Sequence, residues 1–229
     1  MKTVAIIPAG GAGRRMEGRV PKQYLPLAGI PVLVHTLRAF HRSAVIDEIF
    51  LAVPRQDIPE VRRDMVVKYG ISKVSLVLAG GAERQDTVRN ALSHLGDEHG
   101  IVLVHDGVRP FVSGELICRA VAGAGECGAV AAGVPVTDTV KEADAAGRVA
   151  RTVPRAGLWL AQTPQAFSRP VIVAAYERAA AEGFRGTDDA SLVERMGVPV
   201  RMIPGDWDNI KLTTPEDLLR GDLILSGRL

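Results

Sequence analysis

The chain is expected to fold as an α/β protein, with a mostly parallel twisted sheet, helices on both faces and a protruding β-arm. Two observations predict this. The apolar runs VAIIP (4–8), EIFLAVP (48–54), VSLVLAGG (74–81), IVLVHDG (101–107) and AVAAGVPV (129–136) have strand length and are separated by segments long enough for helices. Unbroken apolar strands joined by helical crossovers belong in a parallel sheet covered on both sides. After Pro135 the texture changes to TDTVKEADAAGRVARTVPRAGLW, polar and β-branched, which reads as a two-stranded excursion turning near Asp144–Gly147. With 229 residues and 47% hydrophobic content, one large Rossmann-like domain over 1–229 accommodates these elements, the arm occupying about 136–158.

The first strand, TVAIIP, runs into PAGGAGRRMEGRVPKQY at 8–24. Gly10, Gly11, Gly13 and Gly18 allow close approach of backbone N–H groups to a ligand, and Arg14, Arg15, Arg19 and Lys22 supply cations. A polyphosphate accepts both kinds of contact. Two familiar phosphate loops fail here. Met16 stands where G-x-G-x-x-G needs its third glycine, and Arg19 and Val20 stand where a Walker A loop needs Lys and Ser or Thr. A solvated basic surface loop is the competing reading of this stretch alone.

Next in order, ERQDTVRNALSHL repeats Val88, Leu92 and Leu95 at helical spacing, and SGELICRAV does so with Leu116, Ile117, Ala120 and Val121. In a parallel sheet the loops after the strands face one crevice, which gathers the glycine-rich loop, GGAERQ and HDGVRP. Asp106 in HDGVRP suits a Mg²⁺ ion shared with phosphates, or a turn cap. The histidines (His35, His41, His94, His99 and His105) form no zinc pattern, so His105 at a strand end reads as structural. RPVIVAAYERAAAEG and DDASLVERMG read as helices and VPVRMIPG as a strand. DWDNIKLT (206–213) reads as a short strand, in which Lys211 either reaches an anion or protects a sheet edge, and Asp208 can join Asp106 at a metal. The chain closes on a helix in TTPEDLLRGDLIL, with Thr214 as cap, Pro215 at its first position, and Glu216 and Asp217 at its positive end.

A net charge of +2 argues against wholesale nucleic-acid binding and for small acidic ligands. Cys118 and Cys127 match no metal spacing and read as core thiols in a reducing compartment. No apolar run reaches the roughly 18 residues of a membrane span. The opening segment runs into arginines instead of a small-residue cleavage site, so a cytoplasmic protein is expected.

Taken together, PAGGAGRRMEGRVPKQYLPLAG, GGAERQDTVRNAL, LVHDGVRPF, PVTDTVK, TVPRAGLW, QTPQAF, TDDAS and DNIKLTTPEDL resemble, in order and spacing, the 2-C-methyl-D-erythritol 4-phosphate cytidylyltransferases of the non-mevalonate isoprenoid pathway. The resemblance runs over nearly the whole chain and implies transfer of a cytidylyl group from CTP to methylerythritol 4-phosphate, with release of pyrophosphate. It implies catalytic roles for Arg15, Lys22 and Lys211. It places the nucleotide at Pro8, Ala9, Gly10, Gly11, Ala12, Gly13, Gly81, Ala82, Thr87 and Asp106, through backbone and small side chains at the base. The acceptor falls to Asp106, Arg109, Thr139, Arg155, Thr163, Thr187 and Lys211, with Mg²⁺ at Asp106 and Asp208. It implies a homodimer built on the arm, and no nucleic-acid or membrane partner. A cytidylyltransferase for another polyol phosphate, such as ribitol 5-phosphate, shares the CTP half of such a site. A nicotinamide-dependent reductase is disfavoured by the Met16 break, and a non-catalytic nucleotide sensor would bind CTP without releasing pyrophosphate.

Overall fold

The structure is a computed structural model and describes residues 1–10 and 21–227. Its elements in chain order are β1 (Lys2–Pro8), β2 (Pro26–Leu27), β3 (Ile30–Pro31), α1 (Val32–Arg42), β4 (Glu48–Val53) and α2 (Ile58–Val61), the last running on as a wider helical turn over Arg62–Val67. Then come β5 (Val74–Ala79), α3 (Arg84–Leu92), β6 (His99–Val104), α4 (Gly114–Cys127), β7 (Ala129–Pro135), β8 (Val140–Ala143) and β9 (Val149–Val153). β10 (Trp159–Ser168), α5 (Arg169–Ala181), α6 (Asp189–Arg195), β11 (Arg201–Pro204) and α7 (Pro215–Ser226) complete the described chain.

A 7-stranded sheet has the order β11-β7-β10-β6-β1-β4-β5. Every neighbouring pair is parallel except those made by β10, which runs antiparallel between β6 and β7. Each apolar strand buries both faces, and β1 shows how: Ala5 and Ile7 join the layer with α1, α2 and α4, while Val4 and Ile6 join the layer with α3, α5 and α6. Strict alternation of side chains along a strand makes this division automatic. A smaller cluster of Leu27, Val32, Val108, Phe111 and Leu212 seats α7 beside the crevice. Helix ends follow local chemistry: Ser113 caps α4 at Leu116 N, and Gly128 ends it at φ 84°, a conformation that favours glycine. Thr214 caps α7 as expected, and Asp217 returns the contact to complete a capping box.

Three expectations are corrected. β10 is a central strand where the sequence offered only the motif QTPQAF, because its residues Gln162–Gln165 are polar or proline and break any apolar run. Residues 205–214 form no strand; the Asp206 carboxylate accepts from Asp208 N at 2.8 Å and its carbonyl from Asn209 N at 3.0 Å, folding the segment into a turn. Cys118 and Cys127 are exposed thiols and not core residues, since the buried stripe of α4 is Leu116, Ile117, Ala120, Gly123 and Ala124. The arm is present as a β8–β9 hairpin pairing Val140 with Val153, and it is almost entirely exposed, Val149 at 60%.

Candidate active site

The site lies beyond the carboxyl ends of β1, β5 and β6, where chain reversals meet. Ala9 N donates to Ala52 O at 2.7 Å, and the buried Gln23 amide donates to Ala9 O at 2.8 Å, fixing the exit of β1. The β6 exit packs directly on it. Gly107 N donates to Pro8 O at 3.2 Å, and a Cβ on Gly107 would stand 3.1 Å from Ala9 Cβ, so glycine permits this approach. After β5, Gly81 N donates to Thr87 Oγ1 at 3.0 Å and that hydroxyl donates to Glu83 O at 3.0 Å. A Cβ on Gly81 would lie 2.4 Å from Asp86 Cβ, which leaves only glycine at that turn. Gly10, Gly80, Gly81 and Thr87 thus form one contiguous wall at the start of α3, whose first turn is closed by a Glu83–Asp86 capping box.

Asp106, only 6% exposed, is tied to this wall through Arg84, the first residue of α3. Its Oδ1 accepts from Arg84 Nε at 3.0 Å, its Oδ2 from Lys211 Nζ at 2.8 Å, and Arg109 Nε lies 3.5 Å from Oδ2. Burial alone raises a carboxyl pKa, yet the charges of Arg84, Lys211 and Arg109 outweigh it and hold Asp106 well below the usual carboxylate range. Burial in turn lowers Arg109, against the pull of Asp106. Arg84 is held above its ordinary value because Asp189 and Asp106 overcome the desolvation that opposes them. The cavity lining sets three cations, Arg84, Arg109 and Lys211, against two carboxylates, Asp106 and Asp188, which suits an anion.

Neutral groups hold these charges in place. Asp106 N donates to Thr163 Oγ1 at 3.1 Å, and the same hydroxyl lies 3.1 Å from His105 Nδ1. His105 Nε2 sits 3.0 Å from Arg109 O, and burial pulls its imidazole down to about 4, so it is neutral at physiological pH and structural as expected. Arg109 Nη1 donates to Asn209 O at 2.8 Å, and Asn209 Nδ2 to Thr163 O at 2.8 Å. β10 supplies Thr163 because its register slips between Ala161 and Gln165, freeing the residues between them to turn toward the crevice. A cavity of about 260 Å³ opens there, lined by Arg84, Asp106, Arg109, Thr163, Thr187 and Lys211 among others.

The structure therefore brings Asp106, Arg109, Thr163, Thr187 and Lys211 together. Pro8, Ala9, Gly10, Gly81, Ala82 and Thr87 lie on the adjoining exits of β1 and β5, and Lys22 opens a short helical turn over Lys22–Tyr24. Gly11, Ala12, Gly13 and Arg15 fall outside the described residues. Thr139 and Arg155 lie on the exposed arm and do not line the cavity of their own chain; the Arg155 guanidinium donates to Thr137 O. A magnesium ion shared by Asp106 and Asp208 does not fit these side chains. Both oxygens of Asp106 hold cations, and Asp208 is exposed and does not line the cavity.

The family model described as IspD, 2-C-methyl-D-erythritol 4-phosphate cytidylyltransferase, matches residues 3–227. The chain belongs to this family. Relatives of that name from Syntrophus aciditrophicus and Geotalea uraniireducens are each 49% identical to this cytidylyltransferase family member; the alignments cover 98% and 99% of it, and 96% and 98% of the relatives. The solved structure of 4-diphosphocytidyl-2C-methyl-D-erythritol synthase from Anaerococcus prevotii superposes with a TM-score of 0.86 at 34% identity, covering 98% of this chain and 96% of that one. The 2-C-methyl-D-erythritol 4-phosphate cytidylyltransferase of Thermus thermophilus gives 0.82 at 32% identity over 99% and 100%. The α/β fold with its mostly parallel sheet is thus that of IspD structures.

Within this IspD fold, sequence reasoning missed Arg84, Asp189 and Asn209 as members of the charged cluster. Arg84 and Asp189 sit inside the quoted GGAERQ and TDDAS stretches, and Asn209 inside DNIKLT. What linked them was invisible along the chain: Arg84 and Asp189 pair across a separation of 105 residues, Arg109 and Asn209 across 100.

Proposed function

We propose that this protein transfers the cytidylyl group of CTP to 2-C-methyl-D-erythritol 4-phosphate, giving 4-diphosphocytidyl-2-C-methyl-D-erythritol and pyrophosphate. The observation that carries this reading is the convergence of Arg84, Arg109 and Lys211 on buried Asp106 in a chain that matches the family from end to end. A phosphate-bearing acceptor fits a cavity with surplus positive charge, and its hydroxyls find partners in Thr163, Thr187 and Asp106.

The acceptor phosphate is already anionic and needs no general base. Its oxygen bonds to the α-phosphorus of CTP in line as the bond from that phosphorus to the pyrophosphate oxygen breaks. The barrier lies in bringing anions together and in stabilising the crowded phosphorus. In this reading Lys22 and Arg15 face the triphosphate and neutralise the charge that builds on the leaving pyrophosphate. Lys211 and Arg109 orient the acceptor phosphate, while the backbone about Gly10 and Gly81 receives cytosine. Thr139 and Arg155 complete the acceptor site from the arm of a second copy, which makes the working unit a homodimer. Mg²⁺ belongs to the reading as a companion of the triphosphate, because this ion generally takes few protein ligands and keeps phosphate oxygens and waters. Among the described residues no helix is long and apolar enough to cross a membrane, and the cytoplasm is the compartment we assign.

Pyrophosphate release from CTP with methylerythritol 4-phosphate tests the reading, with ribitol 5-phosphate as the competing acceptor.

A further inference from the structure

Asp189 is a fully buried carboxylate that the reaction above leaves without a task. It stands at the first position of α6, where helix capping does not need it: Asp188 is the cap, accepting from Ser191 N at 2.9 Å. Both oxygens of Asp189 are nevertheless committed. Oδ1 accepts from the Tyr176 hydroxyl at 2.5 Å and Oδ2 from Arg84 Nη2 at 2.7 Å. Tyr176, from α5, is only 3% exposed, and burial together with the Asp189 charge raises its pKa well above the ordinary phenol value. A chain of contacts therefore runs from Tyr176 through Asp189 and Arg84 to Asp106 and ends at Lys211 in the cavity.

A buried ion pair is a costly way to join helices, since apolar side chains of similar volume commonly do so at least as well. Val88, Ile172, Ala175 and Ala190, from the same three helices, already belong to one apolar layer. What a carboxylate adds is direction. A guanidinium is a rigid planar fork, and carboxylates at two of its edges fix both its position and its plane. Arg84 has a side chain 31% exposed, and without Asp189 it would be anchored to Asp106 alone.

We propose that Tyr176 and Asp189 are positioning residues that hold Arg84 against Asp106, so that Asp106 presents Lys211 to the acceptor phosphate. This rests on the acceptor reading given above. Neither residue lines the cavity.

The test compares wild type, Tyr176→Phe, Asp189→Asn and Arg84→Lys as folded enzymes, measuring KM for CTP and for methylerythritol 4-phosphate separately. Loss of a charge-assisted hydrogen bond is expected to raise the acceptor KM about tenfold in Asp189→Asn and about threefold in Tyr176→Phe, with the CTP KM within about twofold of wild type. Arg84→Lys keeps the charge but cannot bridge two carboxylates, and it should match Asp189→Asn. A lower melting temperature with both KM values unchanged, equal rises in both, or a wild-type acceptor KM in Arg84→Lys would overturn the proposal. A crystal structure of Asp189→Asn gives a readout independent of turnover: the Arg84 guanidinium, left with one carboxylate, should turn from its present plane against Asp106, and an Arg84 left in place sinks the idea. If wild type itself releases no pyrophosphate with this acceptor, the activity reading fails, while the position of Arg84 in that crystal still decides the positioning role.

Discussion

Replacing Asp106 by Asn removes one negative charge from the centre of a cationic cluster and leaves the side-chain volume nearly unchanged. Two close contacts set the cost, Arg84 at 3.0 Å and Lys211 at 2.8 Å. A hydrogen bond to a charged group contributes about 1.5–3 kcal/mol. The Lys211 side chain is 38% exposed, so solvent screening limits its share to about 1 kcal/mol or less. The amide oxygen of Asn retains one neutral contact, and the expected loss is about 2–4 kcal/mol, near the lower part of the range for breaking a buried pair. In a chain of this size that corresponds to a melting temperature lower by about 4–16 °C.

Urea unfolding of both proteins at one protein concentration, repeated from pH 7 downward, checks the size and the sign. The folded-state pKa of Asp106 is depressed, so its stabilisation is fully present above the unfolded value of about 3.9 and is lost as pH falls below that toward the folded value. The gap between wild type and Asp106→Asn should therefore hold from pH 7 to about pH 5 and narrow only in more acid solution. Equal stability at pH 7, or a gap that closes between pH 7 and pH 6, would refute the assignment of Asp106 as an ionised hub.

Lys22→Ala and Arg15→Ala should each lower kcat on the order of 10²–10³-fold while the protein stays folded, and an effect confined to KM would reduce both residues to binding. Because both Asp106 oxygens already hold cations, Asp106→Asn should leave the Mg²⁺ concentration for half-maximal activity within about twofold of wild type; a large increase would restore Asp106 as a metal ligand. Co-expression of inactive Arg155→Ala with inactive Lys22→Ala should recover roughly a quarter of wild-type activity, since about half the dimers are mixed and each holds one intact site. No recovery, or a monomeric wild type in sedimentation, would place Arg155 in its own chain's site.

How far the sequence announced this molecule depends on whether the deciding contacts are local. The parallel strands were legible because each is buried on both faces and so reads as an unbroken apolar run, as in Val4–Ile7 and Ile49–Val53. The arm was legible for the opposite reason, its apolar residues being scattered singly or in pairs among polar ones with no unbroken run. β10 was hidden because a central strand that bulges into a polar site carries Gln162, Thr163 and Gln165 where other strands carry Val and Leu. Lys211 was placed on a short strand, but its neighbours Ile210 and Leu212 pack with α7 and the segment forms no strand. Cys118 could have been read correctly, since it falls outside the stripe made by Leu116, Ile117, Ala120 and Ala124. Single site residues such as Asp106 and Arg109 stood out in compact motifs. The Tyr176–Asp189–Arg84 chain did not, because Arg84 stands 105 residues before Asp189, and Tyr176, though 13 residues from it, belongs to another helix.

The most direct test of the whole account is the release of pyrophosphate by the purified protein from CTP, with methylerythritol 4-phosphate and Mg²⁺ present. ATP, GTP, UTP and ribitol 5-phosphate serve as the comparisons. Turnover should require both CTP and methylerythritol 4-phosphate, with the other nucleotides and ribitol 5-phosphate far slower. Equal or faster turnover with ribitol 5-phosphate, or none with any acceptor, would contradict it.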